Sequence, residues 1–173
     1  MGMVFQYAAL FDSLTVFENV VFGLRFHERL PEQELRARAR EQLAAVGMEG
    51  TEALLPSQLS GGMRKRVGLA RALATGPRVV FYDEPTSGLD PIVAGMIDEL
   101  IVEVRNRTGV TSLIVSHDVR SVLRHADRVA LLYDGRIRVC DTPARLQSRA
   151  GQSDPVVQQF LEGRTDGPIR VAG

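Results

Sequence analysis

Two adjacent carboxylates follow a short, fully apolar segment. Four apolar residues at positions 79–82 predict a buried strand that ends at Asp83 and Glu84. Because successive side chains of an extended strand point to opposite sides, the two carboxylates can perform separate tasks. One of them can hold Mg²⁺ through water, and the other can orient an attacking water molecule. An apolar run followed by Asp-Glu is, taken alone, more often a solvated strand end than a functional site.

A short loop sequence after these carboxylates favours the functional interpretation. Residues 85–90 read Pro-Thr-Ser-Gly-Leu-Asp. Asp90 is a good helix N-cap because Pro91 follows it at the first helical position.

A second candidate site lies at Ser60, Gly61 and Gly62. Ser60 can cap the helix that follows, and two glycines let backbone N–H groups approach a ligand closely. Exposed N–H groups at a helix N-terminus form an anion site suited to phosphate. A plain serine-capped helix is the alternative. The position of this motif shortly before the strand at 79–82 favours the phosphate site.

Two further polar residues end predicted strands. His117 follows the apolar, β-branched segment 111–115 and can donate a hydrogen bond to a phosphate oxygen. Gln6 ends the first predicted strand and can reach a metal-bound water. His27 and His125 have no such context, and we interpret them as surface or helix residues.

The amino-acid composition limits the kinds of partner that the chain can be expected to bind. The chain has 21 basic and 21 acidic residues, which gives no general attraction to nucleic acid or anionic membrane. We interpret the run Arg64-Lys65-Arg66 as a solvated helix face.

Cys140 is the only cysteine, which excludes a disulfide framework and indicates a reducing compartment. We predict that Cys140 is a small packed residue.

Strands alternate with helices along the chain, which predicts an α/β layered sheet. No strand is predicted between residues 8 and 75. Within this stretch, Thr15 caps a predicted helix, with Glu18 in capping-box spacing. This stretch reads as a helical subdomain inserted between two sheet strands. The predicted strands cover residues 3–5, 79–82, 111–115, 128–133 and 136–140, the last two flanking an Asp134-Gly135 hairpin turn.

Two longer helices show apolar stripes. One, with Pro31 in its first turn, predicts a buried face of Leu35, Ala39, Leu43 and Val46. The helix after Asp90 predicts a buried face of Ile92, Met96, Leu100 and Val104 and ends at Gly109. Short helices are predicted at residues 119–126, 143–148 and 155–161, and residues 163–173 read as a loose tail.

These motifs, in this order, resemble the nucleotide-binding subunit of an ABC transporter from the Q-loop onward. The matching residues are Gln6 (Q-loop), Ser60 to Gly62 (signature), Asp83 and Glu84 (Walker B), Ser87 to Asp90 (D-loop) and His117 (switch histidine). The resemblance implies a P-loop NTPase-like fold. Met63, where many relatives have Gln, and the segments 5–11 and 157–163 further resemble the Mla-type phospholipid (toluene-tolerance) transport ATPases of Gram-negative bacteria.

The resemblance implies a shared site in which ATP lies between two subunits. Glu84 would polarise water, Asp83 would organise Mg²⁺, and Gln6 and His117 would sense the γ-phosphate. Ser60, Gly61, Gly62 and Asp90 would contact the nucleotide held by a second ATPase subunit. An integral membrane permease would contact the apolar segment 7–22, which places the protein peripherally at the cytoplasmic face of the inner membrane.

The resemblance also divides the chain into four segments. Residues 1–7 are the end of a core strand and the Q-loop, and residues 8–75 are the helical subdomain with the signature. Residues 76–150 are the ATPase core with Walker B, D-loop and H-loop. Residues 151–173 are a C-terminal helix and tail.

The phosphate-cradling sequence G-x-x-x-x-G-K-[ST] is absent from the 173 residues. Each charge-assisted hydrogen bond of such a loop contributes roughly 1.5–3 kcal/mol, so losing three or four removes on the order of 5–12 kcal/mol. A micromolar ligand has about 8 kcal/mol of binding free energy in total. We therefore expect that this chain alone does not bind ATP appreciably.

In the family, the strand feeding the phosphate loop lies between the strand that ends at His117 and the strand at 128–133. Its absence would leave two inner strand edges unpaired. We therefore expect an N-terminally truncated sequence, from an incomplete gene or a misplaced start.

Two other functions stay open. The chain could be a non-catalytic partner whose signature completes the ATP site of an intact subunit. It could also be a soluble ABC ATPase of DNA repair or translation, although the insertions or tandem cassettes typical of those proteins do not occur here.

Overall fold

The computed structural model describes residues 1–148 and 154–169 and divides the chain into two compact units, 1–117 and 118–173. Both contain helices and strands, and the predicted α/β class is confirmed. The first unit contains β1 (Gly2–Val4), α1 (Val16–His27), α2 (Glu32–Ala45), a 3-10 turn (Pro56–Gln58), α3 (Gly61–Leu73), β2 (Val79–Asp83), α4 (Pro91–Thr108) and β3 (Thr111–Val115). The second contains α5 (Val119–His125), β4 (Val129–Tyr133), β5 (Arg136–Asp141), α6 (Pro143–Leu146) and α7 (Pro155–Glu162).

The first unit is built on a parallel sheet with the order β1-β2-β3. Tyr82 lies opposite Val4 on one side and opposite Ile114 on the other. The carboxyl ends of parallel strands meet at one edge, and the ligands of open α/β sheets bind there. The sheet therefore brings the segments that follow β1, β2 and β3 to the same edge.

One edge of this sheet is open within the described residues. β3 pairs with β2 on one side, and no described strand pairs with its other side. Leu113, Ile114 and Val115 are correspondingly 49%, 40% and 55% exposed.

The hairpin of β4 and β5 forms a separate two-stranded antiparallel sheet. Asp134 and Gly135 have φ angles of 50° and 68°, the left-handed values that a two-residue hairpin turn requires. This confirms the predicted turn.

The prediction for Cys140 is wrong, because it is exposed on β5 rather than packed.

The helices of the first unit share one apolar core with the sheet. The predicted stripe of α2 is confirmed, since Leu35, Ala39, Leu43 and Val46 are all buried. Pro31 occupies the N-cap rather than the first turn.

The predicted stripe of α4 is wrong in its first half. Ile92 and Met96 are 76% and 51% exposed, whereas Ile97, Leu100, Ile101 and Val104 are buried. The buried residues are spaced three and four positions apart, as one face of a helix requires. The predicted stripe used spacings of four only, and its first two residues therefore lie outside the buried face.

Helix α1 begins with the predicted capping box. The Thr15 hydroxyl accepts from the Glu18 backbone N–H, and the Glu18 carboxylate accepts from the Thr15 N–H at 2.8 Å. The hydrogen bonds that the Thr15 N–H and the Thr15 hydroxyl donate to the Glu18 carboxylate lower the pKa of Glu18. Among the described residues, no helix is long and apolar enough to cross a membrane.

The fully buried side chain of Asn19 holds the loop that leads into α1. Its Oδ1 accepts from the Phe11 N–H at 2.8 Å, and its Nδ2 donates to the carbonyls of Phe11, Leu14 and Thr15 at 3.0–3.1 Å. This one amide therefore fixes the shape of residues 11–15.

The segment after α7 is anchored as far as it is described. Gln159 is buried, and its Nε2 donates to the carbonyls of Arg164 and Ile169 at 3.3 and 3.1 Å. Its Oε1 accepts from the Ile169 N–H at 2.7 Å. The predicted loose tail is thus wrong for residues 163–169, and residues 170–173 lie outside the described part.

We expect Asn19→Ala to lower the free energy of unfolding by about 2–3 kcal/mol, since buried backbone groups lose their partners. Urea unfolding measures this value. The control is Arg40→Ala, an exposed residue of the neighbouring helix α2, for which the change should stay within about 0.5 kcal/mol. Equal stabilities of the two variants would contradict the role given to Asn19.

Candidate functional site

Glu84 and His117 meet at the carboxyl edge of the parallel sheet. Glu84 directly follows β2, His117 follows β3, and the Glu84 Oε2 lies 2.8 Å from the His117 Nδ1. The Glu84 side chain is 20% exposed and the His117 side chain is 77% exposed. The structure therefore pairs two of the residues that the sequence singles out, although 33 positions separate them.

The backbone of Glu84 lies in the left-handed region, with a φ angle of 46°. A residue with a Cβ adopts this region only where surrounding contacts hold it. Here the Glu84 N–H donates to the Val115 carbonyl at 2.9 Å, and the Glu84 carbonyl accepts from the Ser87 N–H at 3.1 Å. Neighbouring segments thus set the direction of the carboxylate.

Gln6 joins the same edge from β1. Its side chain is half-buried, and its Nε2 donates to the Ser87 hydroxyl at 3.3 Å. The segment that follows Glu84 therefore also holds the Gln6 amide.

Asp83 is the last residue of β2 and is half-buried beside this group. No group of three or more His, Cys, Asp or Glu side chains suited to a metal ion occurs within residues 1–148 and 154–169. Mg²⁺ is commonly held by one or two carboxylates together with substrate phosphates and water. The single carboxylate of Asp83 fits that mode.

Ser60 and the two glycines begin α3 as predicted. Ser60 is the N-cap, and its hydroxyl accepts from the Met63 N–H at 3.2 Å. A Cβ on Gly61 would lie 3.4 Å from the Leu89 side chain, an ordinary contact, whereas a Cβ on Gly62 would lie 2.8 Å from Val93. Close packing against α4 is thus one reason for glycine at position 62, a reason that the sequence does not reveal.

Asp90 caps α4, as the sequence predicts. Its Oδ1 accepts from the N–H groups of Ile92 and Val93 at 3.0 and 3.1 Å. A role of Asp90 toward nucleotide remains a prediction.

The basic run on α3 is not the solvated face that the sequence predicts. Lys65 is buried, and its Nζ donates to the carbonyls of Gln6 and Glu84. Arg66 is half-buried and donates to the Val46 carbonyl at 2.8 Å. Lys65 stands three and four residues before the buried Gly68 and Leu69, and this helical spacing is the signal that could have identified it.

Aromatic side chains gather where the loop after β1 meets α1. The Phe22 ring lies 4.4 Å from the Phe11 ring and 5.0 Å from the Phe26 ring, measured between centroids. Phe11 and Phe26 are 43% and 75% exposed, and Tyr7 on the same loop is 84% exposed. We call Phe11, Phe22 and Phe26 the aromatic patch. Exposed apolar groups of this kind often mark interaction sites.

The sequence model of the ABC transporter family matches residues 1–87 of the chain. The chain is 44% identical to the intermembrane phospholipid transport system ATP-binding protein MlaF of Escherichia coli K12, over 98% of this chain and 62% of that protein. It is also 44% identical to the sulfate/thiosulfate import ATP-binding protein CysA of Xanthomonas campestris, over 99% of this chain and 52% of that protein.

The chain also matches a solved structure, the dimeric post-hydrolysis state of the ATP-binding cassette MJ0796 bound to ADP and Pi. The TM-score is 0.71 and the sequence identity is 34%. The match covers 82% of this chain and 62% of that one.

The chain therefore belongs to the ABC transporter family. It spans about 62% of the length of its MlaF relative.

Proposed function

We propose that this chain is the ATP-hydrolysing subunit of an ABC transporter. The observation that carries the proposal is the pair formed by the Glu84 carboxylate and the His117 imidazole at 2.8 Å, with Gln6 held beside it through Ser87. Parallel strand ends collect these three groups from distant parts of the sequence, at the edge where such sheets bind ligands.

Glu84 orients the attacking water in this proposal. Its carboxylate can accept a proton of a bound water and direct the oxygen lone pair toward the γ-phosphorus. The left-handed backbone at Glu84 supports this role, because strained conformations persist where the surrounding structure holds them and they cluster at active sites.

His117 contacts the γ-phosphate in this proposal. Its Nδ1 already pairs with the Glu84 carboxylate, so donation from Nε2 to a phosphate oxygen needs the imidazolium form, in which both nitrogens carry protons.

Asp83 and Gln6 would hold Mg²⁺ through water at the end of β2. The ion would neutralise charge on the phosphate oxygens. The half-buried Asp83 and the position of the Gln6 amide support this assignment.

The ATP site is completed by a second ATPase subunit. Ser60, Gly61 and Gly62 form the N-terminus of a 13-residue helix, whose backbone N–H groups and dipole suit the γ-phosphate of the partner's nucleotide. The similar cassette that was solved as a dimer with ADP and Pi supports this arrangement. Asp90 would lie at the same interface.

We expect Glu84→Gln to retain ATP binding and to lower kcat at least about a hundredfold, because the amide cannot accept the proton of water. Steady-state kinetics and nucleotide binding of the full-length gene product measure both quantities. Glu103→Gln, which changes an exposed carboxylate of α4, is the control and should keep normal turnover.

Unchanged turnover in Glu84→Gln would refute Glu84 as the water-orienting residue. Activity that required Ser60 but not Glu84 would favour the non-catalytic partner instead.

For the transported substrate we propose phospholipid. The similarity to MlaF over 98% of the chain supports it, together with Met63 and the segments 5–11 and 157–163. Equal identity to a sulfate/thiosulfate importer supports only the broader transport role. A phospholipid transporter of this type would place the chain peripherally at the cytoplasmic face of the inner membrane.

The aromatic patch is the proposed contact with an integral membrane permease. It combines exposed Phe11 and Phe26 with the half-buried Phe22, and the hydrogen bonds of Asn19 fix the loop that carries Phe11. A rigid, exposed aromatic surface suits a helix inserted from a partner.

We expect Phe11→Asp to weaken permease binding at least about tenfold, since a carboxylate would be buried without a partner at the interface. Pull-down of the permease by the full-length gene product, with circular dichroism to check folding, measures this effect. Phe160→Asp replaces a Phe of similar exposure, 38%, on α7 and should bind normally. Equal permease capture by both variants would contradict the contact.

A further inference from the structure

Lys65 is a buried lysine with two backbone acceptors. Its side chain lies on α3 and the residue is 7% exposed, whereas lysine is almost never buried without a partner. Its Nζ donates to the Gln6 carbonyl at 2.5 Å and to the Glu84 carbonyl at 3.3 Å. Burial lowers the pKa of Lys65, and the nearby carboxylates of Glu84 and Asp83 oppose that shift.

The two carbonyls belong to different segments of the candidate site. Gln6 follows β1 and Glu84 follows β2, and these strands pair in parallel. The Lys65 ammonium therefore links the two segments just beyond the point where the strand pairing ends. The link runs through main-chain atoms, next to the side-chain bond between Gln6 and Ser87.

The carbonyl of Glu84 controls the direction of its carboxylate. The Glu84 backbone has a φ angle of 46°, and its carbonyl accepts from the Ser87 N–H as well as from Lys65. Rotation of this peptide group toward ordinary dihedral angles would turn the Cα–Cβ bond and move the carboxylate away from His117. The ammonium opposes that rotation.

Arg71 provides an internal comparison on the same helix. Its guanidinium donates to the carbonyls of Ala8 and Ala9 at 2.7 and 2.6 Å, and both alanines have left-handed φ angles of 60° and 46°. Arg71 thus holds the loop that follows Gln6, and its two hydrogen bonds do not involve Glu84. A change of Arg71 therefore tests the support of this loop alone, whereas a change of Lys65 also tests the support of the Glu84 carboxylate.

We infer that Lys65 is a positioning residue for ATP hydrolysis, whose ammonium joins the backbone of Gln6 to that of Glu84 and fixes the carboxylate relative to the Gln6 amide. The inference rests on the proposed function. Lys65 touches neither substrate nor water in this role and acts through Glu84.

The test uses the full-length gene product with Lys65→Met, which keeps the length of the side chain and removes its donors. We expect kcat to fall about tenfold or more, while KM for ATP changes less than about threefold, because Lys65 acts on the hydrolytic group rather than on nucleotide binding. Lys65→Arg, which restores a donor cation, should recover part of the lost kcat. Wild-type kcat in a folded Lys65→Met protein would overturn the inference.

Amide hydrogen exchange gives a readout that does not depend on activity. In Lys65→Met, the amides of Glu84 and Ser87 should exchange faster than in the wild type. In the control Arg71→Met, faster exchange should appear at Ala8, while Glu84 and Ser87 keep their rates. Unchanged exchange at Glu84 and Ser87 in Lys65→Met would also overturn the inference.

These outcomes separate the two proposals. A wild-type protein that hydrolyses no ATP would refute the proposed function, and the exchange rates would still decide whether Lys65 holds Glu84. If Lys65→Met does not fold, Lys65→Leu, which also removes the donor and has a shorter side chain, replaces it in both measurements. A Lys65→Leu protein with wild-type kcat and exchange would refute the positioning role.

Discussion

The geometry of the site depends on one strained backbone position. Glu84 has a left-handed φ angle directly after a buried strand, and an L-residue keeps that conformation only under restraint. The restraint comes from three sides: the Val115 carbonyl on β3, the Ser87 N–H within the following loop, and the Lys65 ammonium from α3. With the backbone held in this way, the carboxylate reaches the imidazole of His117 at 2.8 Å.

Helix α3 connects this restraint to a second site. Its N-terminus carries Ser60 and the two glycines, and its side carries Lys65 and Arg71, which hold the loop after β1 and the residue after β2. Gly62 allows the same helix to approach Val93 on α4. Any displacement of α3 that followed binding of a phosphate at its N-terminus would therefore act on the backbone around Gln6 and Glu84.

Local signals in the sequence predicted those features that depend on neighbouring residues. The capping box of Thr15, the Asp134-Gly135 turn and the caps at Ser60 and Asp90 all occur as predicted, because each depends on residues a few positions apart. The strand ends that carry Gln6, Asp83 and His117 also followed from apolar runs and from the rule that parallel strands end at one edge.

Features that depend on packing between elements were predicted poorly. Lys65 reads as a surface charge in the run Arg64-Lys65-Arg66, and its burial depends on carbonyls contributed by two distant loops. The exposed first turn of α4 and the exposed Cys140 depend on which surfaces the other elements cover. The left-handed angle of Glu84 has no local signal, because it results from tertiary restraint rather than from residue preference.

The central claim is that the signature of one subunit and Glu84 of another act on the same ATP. Mixing two inactive variants of the full-length gene product, Glu84→Gln and Gly61→Asp, tests it most directly. Gly61 tolerates a Cβ within its own chain, and the added carboxylate would repel a phosphate. The account predicts that the mixture regains ATPase activity, because each mixed dimer contains one site with both an intact signature and an intact Glu84. A mixture as inactive as its two components would contradict the claim.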